Sequence, residues 1–136
     1  MQLKPLSNAL SVTPQISVEE VGELARLGFR SIIGNRPERE TADQPAWEQL
    51  AAEARRHGLE ARHIPVIPGK IGDADVAAFQ SALQDMPGPI AAFCRTGTRS
   101  AMLWALANPD RLSREDRLRI AAEQGYDLSG IRERLG

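Results

Sequence analysis

The chain has 136 residues, 42% of them apolar and 26% charged, with a formal net charge of -1. These values fit one soluble domain spanning 1–136 around one core, and they leave no global basic surface for nucleic acid or a membrane. A single cysteine excludes an internal disulfide, the pattern of potential ligands suggests no structural zinc site, and no apolar run approaches the length of a membrane span.

Ala9 to Val12 is a candidate first strand. Ser17 and Glu20 form a capping box, and Val18, Val21, Leu24 and Ala25 form the apolar stripe of the helix it opens. Gly28 ends that helix. Phe29 to Ile33 reads as a strand, followed by a polar loop through Glu40. Pro45 opens the next helix, capped by Asp43 or Gln44, with Trp47, Leu50, Ala51 and Ala54 inward. Glu60 to Val66 reads as a third strand, and Pro65 marks an edge or an end. Asp73 is the expected N-cap of a helix through Asp85, with Val76, Phe79 and Leu83 inward. A short buried strand, Pro89 to Phe93, leads into the only cysteine, and a helix runs on to about Ala107. Two more helices follow, from Ser113 to near Gly125 and from about Asp127 to Leu135. This alternation predicts an α/β fold with a mostly parallel central sheet flanked by helices. Ligands of such sheets bind at the carboxyl ends of the strands.

Cys94 stands at one of those ends, in the run Cys94-Arg95-Thr96-Gly97-Thr98-Arg99-Ser100. A lone cysteine is most often a small buried hydrophobe. A structural thiol, however, has no need of arginine at the next position and again at the fifth, or of glycine at the third. The backbone N–H groups of a strand-to-helix turn and the helix N-terminus together form an anion site, and such a field favours the thiolate, the form that attacks. Gly97 lets the turn curl around one point. Arg99 offers a planar fork to two oxygens of an anion. Arg95 is a second cation for the site or a solvated one. Thr96 and Thr98 are either hydroxyl donors or small loop residues. Ser100 either donates to the sulfur or, the preferred reading, caps the following helix. Asn35 and Arg36, on a neighbouring loop, are candidates for a second anion contact; the alternative pairs Arg36 with Glu38 or Glu40 on the surface. His63 reads as a hydrogen-bonded structural residue rather than a proton carrier, and His57 as a partner of a helix dipole. Trp47 and Trp104 read as core.

Cys94-x-x-Gly97-x-Arg99-Ser100 resembles the active loop of rhodanese-type sulfurtransferases. It is also similar to the loop of cysteine-dependent phosphatases, shortened by one residue, with four residues between Cys94 and Arg99. Around it, Gln15-Ile16-Ser17, Gly28 to Ser31, Asn35-Arg36-Pro37, Asp43-Gln44-Pro45 and His63 to Val66 resemble one family. Its members are phosphatase-like domains classed as sulfur transferases, found alone or fused to persulfide dioxygenases in the β-lactamase hydrolase-like proteins. The resemblance implies the fold of dual-specificity phosphatases. It also implies a choice between sulfur and phosphorus chemistry.

Three features favour sulfur. The loop is short. Phe93 replaces the histidine that commonly precedes a phosphatase nucleophile. The region expected to supply a phosphatase's general acid holds His63, with Asp73 and Asp75 further on; Asp73 is the candidate acid, although it reads better as a helix cap. The expectation is therefore a sulfurtransferase without cofactor. Its Cys94 persulfide would be charged by a small anionic sulfur donor, thiosulfate or a low-molecular-weight persulfide, and a persulfide dioxygenase is a candidate partner. The alternatives are a cysteine-dependent phosphatase and a persulfide carrier. Met1 to Pro5 lacks the apolar core of a signal peptide, so a reducing cytoplasmic setting is expected.

Overall fold

The computed structural model describes residues 1–136. Five strands form one sheet: β1 (Lys4–Pro5), β2 (Leu10–Thr13), β3 (Ser31–Gly34), β4 (Glu60–His63) and β5 (Ile90–Phe93). Their order is β1-β2-β5-β3-β4. All neighbours are parallel except β1, which runs antiparallel to β2. The last strand in sequence therefore slots between β2 and β3, which places Cys94 at the centre of the carboxyl edge.

The central strands β2, β3 and β5 are short and buried at every position because both faces are covered, while the outer β1 and β4 carry polar residues. Along β5, Ile90 and Ala92 join the core on one side of the sheet, and Ala91 and Phe93 join the core on the other. The second side is packed by α1 (Val18–Arg26) and α2 (Trp47–Arg56). The first is packed by α3 (Asp73–Asp85), α4 (Thr98–Ala107) and α5 (Arg114–Glu123), with a closing 3-10 turn, Ser129–Arg134. No helix is long and apolar enough to cross a membrane.

Several expected boundaries move, each for a local reason. β1 is a two-residue strand with no sequence period to reveal it. β4 stops at His63 because Pro65 has no N–H to give, and Val66 N–H instead donates to the Asn35 carbonyl at 3.0 Å. The cap of α2 is Ala46, not Asp43 or Gln44; Gln49 reaches back to Ala46 N–H, while Glu38 accepts from Trp47 N–H at 2.8 Å. Likewise Gly72, not Asp73, caps α3, and the Asp75 carboxylate accepts from Gly72 N–H at 2.9 Å. Asp73 is thus an exposed first-turn residue whose charge suits the helix N-terminus. The capping box of α1 forms as read, Ser17 Oγ accepting from Glu20 N–H and Glu20 from Ser17 N–H.

Arg117 is 1% exposed, and its hydrogen bonds go to no Asp or Glu. Its guanidinium instead donates to the carbonyls of Ala105, Ser113 and Gly136, tying α5 to α4 and to the last residue. Burial pushes its pKa down. Arg117→Ala would leave a cavity and strip the buried Ala105 carbonyl of this donor. It is expected to destabilise the fold by about 3 kcal/mol, read as a lowered denaturant midpoint at unchanged slope.

Candidate active site

The carboxyl ends of β2, β5 and β3 pin the cysteine loop from both sides. Gln15 N–H donates to the Arg95 carbonyl at 3.2 Å, and Asn35 N–H to the Phe93 carbonyl at 2.8 Å. The backbone on either side of Cys94 is therefore held by neighbouring chain segments. The Cys94 side chain is buried, and Gly97 N–H donates to its sulfur at 3.1 Å. That contact needs the left-handed conformation of Gly97, with φ of 95°. Gly97 is also the N-cap of α4, so the helix begins at Thr98, and its positive dipole end faces the turn.

Gly97 has a second reason to lack a side chain. A Cβ placed there would lie 2.1 Å from the hydroxyl oxygen of Tyr126. Tyr126 donates that hydroxyl to the Thr96 carbonyl at 3.1 Å and so braces the loop from beneath. Burial, and then the charge of Cys94, push the tyrosine pKa up and keep its proton in place. Lys4 Nζ lies 5.6 Å from the Tyr126 ring centroid and donates to the Gln124 carbonyl, which gives the short β1 a part in this brace. Gly97→Ala is expected to displace the Gly97 N–H and reduce turnover by roughly 10²- to 10³-fold, the usual effect of losing one oriented anion donor. Steady-state kinetics beside a circular-dichroism melt checks this.

Arg99 is 8% exposed. Its Nη1 donates to Glu40 Oε2 at 2.7 Å and to the Val66 carbonyl at 3.0 Å, and its Nη2 donates to Glu40 Oε1 at 2.9 Å. The end of the guanidinium is thereby fixed. Its Nε–H and the second Nη2–H, which share the side edge, are left for an anion beside Cys94. Burial lowers the Arg99 pKa, but the Glu40 hydrogen bond and the Cys94 charge outweigh it and push the pKa up. The guanidinium stays charged.

Glu40 is the residue that sequence reading missed as a part of the site. Its carboxylate also accepts from Arg36 Nε at 3.0 Å. The Arg99 hydrogen bond holds its pKa below the ordinary carboxylate value, burial opposes this, and Arg36 adds to the lowering. Arg36 itself is 5% exposed and also donates to Gln15 Oε1 and Thr41 Oγ1. Of the two readings of Arg36, the pairing with Glu40 is the one found, but as a part-buried strut behind Arg99 rather than a surface contact. A signal was available, since two buried arginines require anionic partners and the intervening loop supplies few.

The other candidates fall into place around this frame. Ser100 is buried in the first turn of α4 and donates to Asn35 Oδ1 at 2.8 Å, so it neither caps the helix nor donates to the sulfur. Asn35 passes the tie on, donating to the Ile64 carbonyl at 2.9 Å. Its side chain is spent on joining loops and is no anion contact. Thr96 and Thr98 pair through their hydroxyls at 3.0 Å. Arg95 is exposed. His63 Nε2 lies 3.0 Å from the Arg36 carbonyl, and its ring stacks 4.9 Å from Trp47, the structural role expected of it. His57 meets Glu53 at 3.0 Å at the end of α2. No hydrogen bond or ion pair joins Asp73 to the Cys94 loop.

A thiol held by a backbone donor, a helix N-terminus and a fixed guanidinium edge can attack a tetrahedral anion and hold its charge. Known proteins resemble this chain in sequence and fold. Residues 2–110 match the family model of the beta-lactamase hydrolase-like protein, phosphatase-like domain. The chain is 35% identical over 130 residues to a beta-lactamase hydrolase-like protein of Xylella fastidiosa, covering 94% of this chain and 30% of that one. It thus spans under a third of the length of the curated relatives it matches. A candidate phosphatase of Neisseria meningitidis, known from its crystal structure, is 32% identical with a TM-score of 0.89, covering 99% of this chain and 96% of that one. The catalytic domain of a PP-IP phosphatase from S. cerevisiae shares the fold alone, at 15% identity and a TM-score of 0.70 over 98% of this chain and 84% of that one. With a cysteine-dependent phosphatase-like fold and a match over most of its length, the chain belongs to the beta-lactamase hydrolase-like protein, phosphatase-like domain family.

Proposed function

We propose that this domain is a cysteine-dependent phosphatase acting on small phosphomonoesters or phosphotyrosine-like groups. This reverses the order of preference drawn from sequence, which put sulfur transfer first. The observation that carries it is the side edge of Arg99, left unpaired beside Cys94 while Glu40 and Val66 hold the other end. Such an edge suits two oxygens of a phosphoryl group, and the Neisseria meningitidis relative, 32% identical, is itself described as a phosphatase candidate.

The Cys94 thiolate attacks phosphorus in line, and the bond to the leaving oxygen breaks. Arg99, Gly97 N–H and the start of α4 hold the three remaining oxygens as charge develops. A phosphocysteine results. Water then attacks phosphorus, the S–P bond breaks, and Cys94 returns as thiolate with phosphate released. Hydrolysis of 4-nitrophenyl phosphate in a Cys94-dependent manner supports this reading. Its absence at millimolar substrate, with the fold intact, overturns it.

Sulfur transfer is the second reading, favoured by the four-residue spacing between Cys94 and Arg99. A tight loop suits a terminal sulfur, with a Cys94 persulfide charged by thiosulfate or a low-molecular-weight persulfide. The acceptor would be a small thiol or, for a carrier, a persulfide dioxygenase. A gain of one sulfur in intact mass after thiosulfate treatment, lost on thiol reduction, supports this reading over the first.

A further inference from the structure

The donors around Cys94 are placed to hold an anion, yet the neighbouring side chains are arranged to give it no proton. Besides Cys94 and the arginines, four titratable side chains around the loop bear on proton transfer: Glu40, Asp43, His63 and Tyr126. Glu40 is clamped between Arg99 and Arg36. Asp43 Oδ1 accepts from Thr41 Oγ1 at 2.7 Å; that bond leads in holding its pKa down, with Arg36 and Arg95 adding to the effect. Both carboxyls are thus kept ionised. His63 turns its Nε2 to the Arg36 carbonyl, and Tyr126 gives its proton to the Thr96 carbonyl. The stretch from Ile64 to Gly72, which flanks Arg99 through the Val66 carbonyl, contains no Asp or Glu. Beyond it, Asp73 is exposed, and the part-buried Asp75 is committed to the Gly72 N–H at 2.9 Å.

On the side of Arg95 the loop opens to a cleft of about 200 Å³, lined by polar side chains and Pro45. Arg36, Arg95, Gln15 and Thr41 border it, with Asp43 as its one carboxylate. Arg95 is exposed and its guanidinium makes no hydrogen bond within the protein, so its charge is available to a departing group.

We propose that this site is restricted to substrates whose leaving group departs as a stable anion, unprotonated: phosphoanhydrides and acidic aryl phosphates, not alkyl phosphates. The restriction rests on the phosphatase reading above. In the first step Cys94 Sγ bonds to phosphorus while the P–O bond to the leaving group breaks. The leaving oxygen keeps the electron pair and departs as an anion past Arg95, taking no proton from the protein. Water completes the second step, and its protons leave on the released phosphate.

The test is the dependence of kcat/KM on leaving-group acidity, measured on aryl phosphates from 4-nitrophenyl to phenyl, on an alkyl phosphate, and on inorganic pyrophosphate. A positioned general acid contributes roughly 10²- to 10⁴-fold, chiefly for poor leaving groups. The expected result is a steep fall along the aryl series, an alkyl phosphate slower than the nitrophenyl ester by more than that factor, and turnover of pyrophosphate. Asp73→Asn is expected to leave the whole profile in place. A shallow profile, with the alkyl ester within about tenfold of the nitrophenyl ester, overturns the restriction while leaving the phosphatase reading standing. So does an Asp73→Asn variant that slows only the poor leaving groups. Failure to hydrolyse any of the phosphates overturns both.

Discussion

Cys94→Ser is expected to reduce turnover by on the order of 10⁴-fold or more while leaving the fold intact. Cys94 is fully buried, and the hydroxyl of serine fits the same space and can accept the same Gly97 N–H. What serine lacks is an accessible anion. No base lies against this position: the sulfur's one hydrogen-bond partner is a backbone donor, and both nearby carboxylates are engaged elsewhere. The variant should bind a phosphate ester, with unfolding midpoint nearly unchanged, and fail to turn it over. A variant that keeps a tenth of the activity would remove Cys94 from the chemistry, on the order of a 1.4 kcal/mol effect only.

Arg99→Lys is expected to lower kcat/KM by roughly 10³-fold. Arg99 does two things at once. One end of the guanidinium holds Glu40 and the Val66 carbonyl, and the side edge faces the place of the substrate anion. An ammonium is a point charge and serves one of these partners at a time. The loss should therefore fall on kcat as well as KM. The pair also sets an acid limit. The Glu40 pKa is depressed in the folded protein, so the pair stabilises the fold above the ordinary carboxylate pKa, and that contribution is lost as pH falls through the depressed value. Acid unfolding of wild type should show this loss, and Arg99→Lys should weaken it.

The parts that could be read from the chain were those with local causes. Ile90 to Phe93 is apolar at every position because both sheet faces are covered, and Ser17 and Glu20 announce the start of α1. The strand–Cys94–Gly97–helix order put the thiol at the turn between β5 and α4, where the structure has it. What stayed hidden was long-range. Glu40 lies in a polar loop without period and meets Arg99 across 59 residues of sequence. Tyr126 reaches Thr96 across 30. Ser100 looks like a helix cap because serine commonly is one, but Gly97 had already taken that position with a conformation that only the loop demands. The preference for sulfur rested on loop length, on Phe93 and on a missing acid; to the Arg99 fork already read from the chain, the structure adds Glu40 and the Val66 carbonyl, which fix its far end.

The most direct test of the account is a rapid-quench experiment with 4-nitrophenyl phosphate, followed by mass analysis of the peptide that carries Cys94. A phosphoryl group on Cys94 that forms with the burst of nitrophenol and decays with turnover is the predicted result. Turnover with no adduct on Cys94, undiminished in Cys94→Ser, would contradict it.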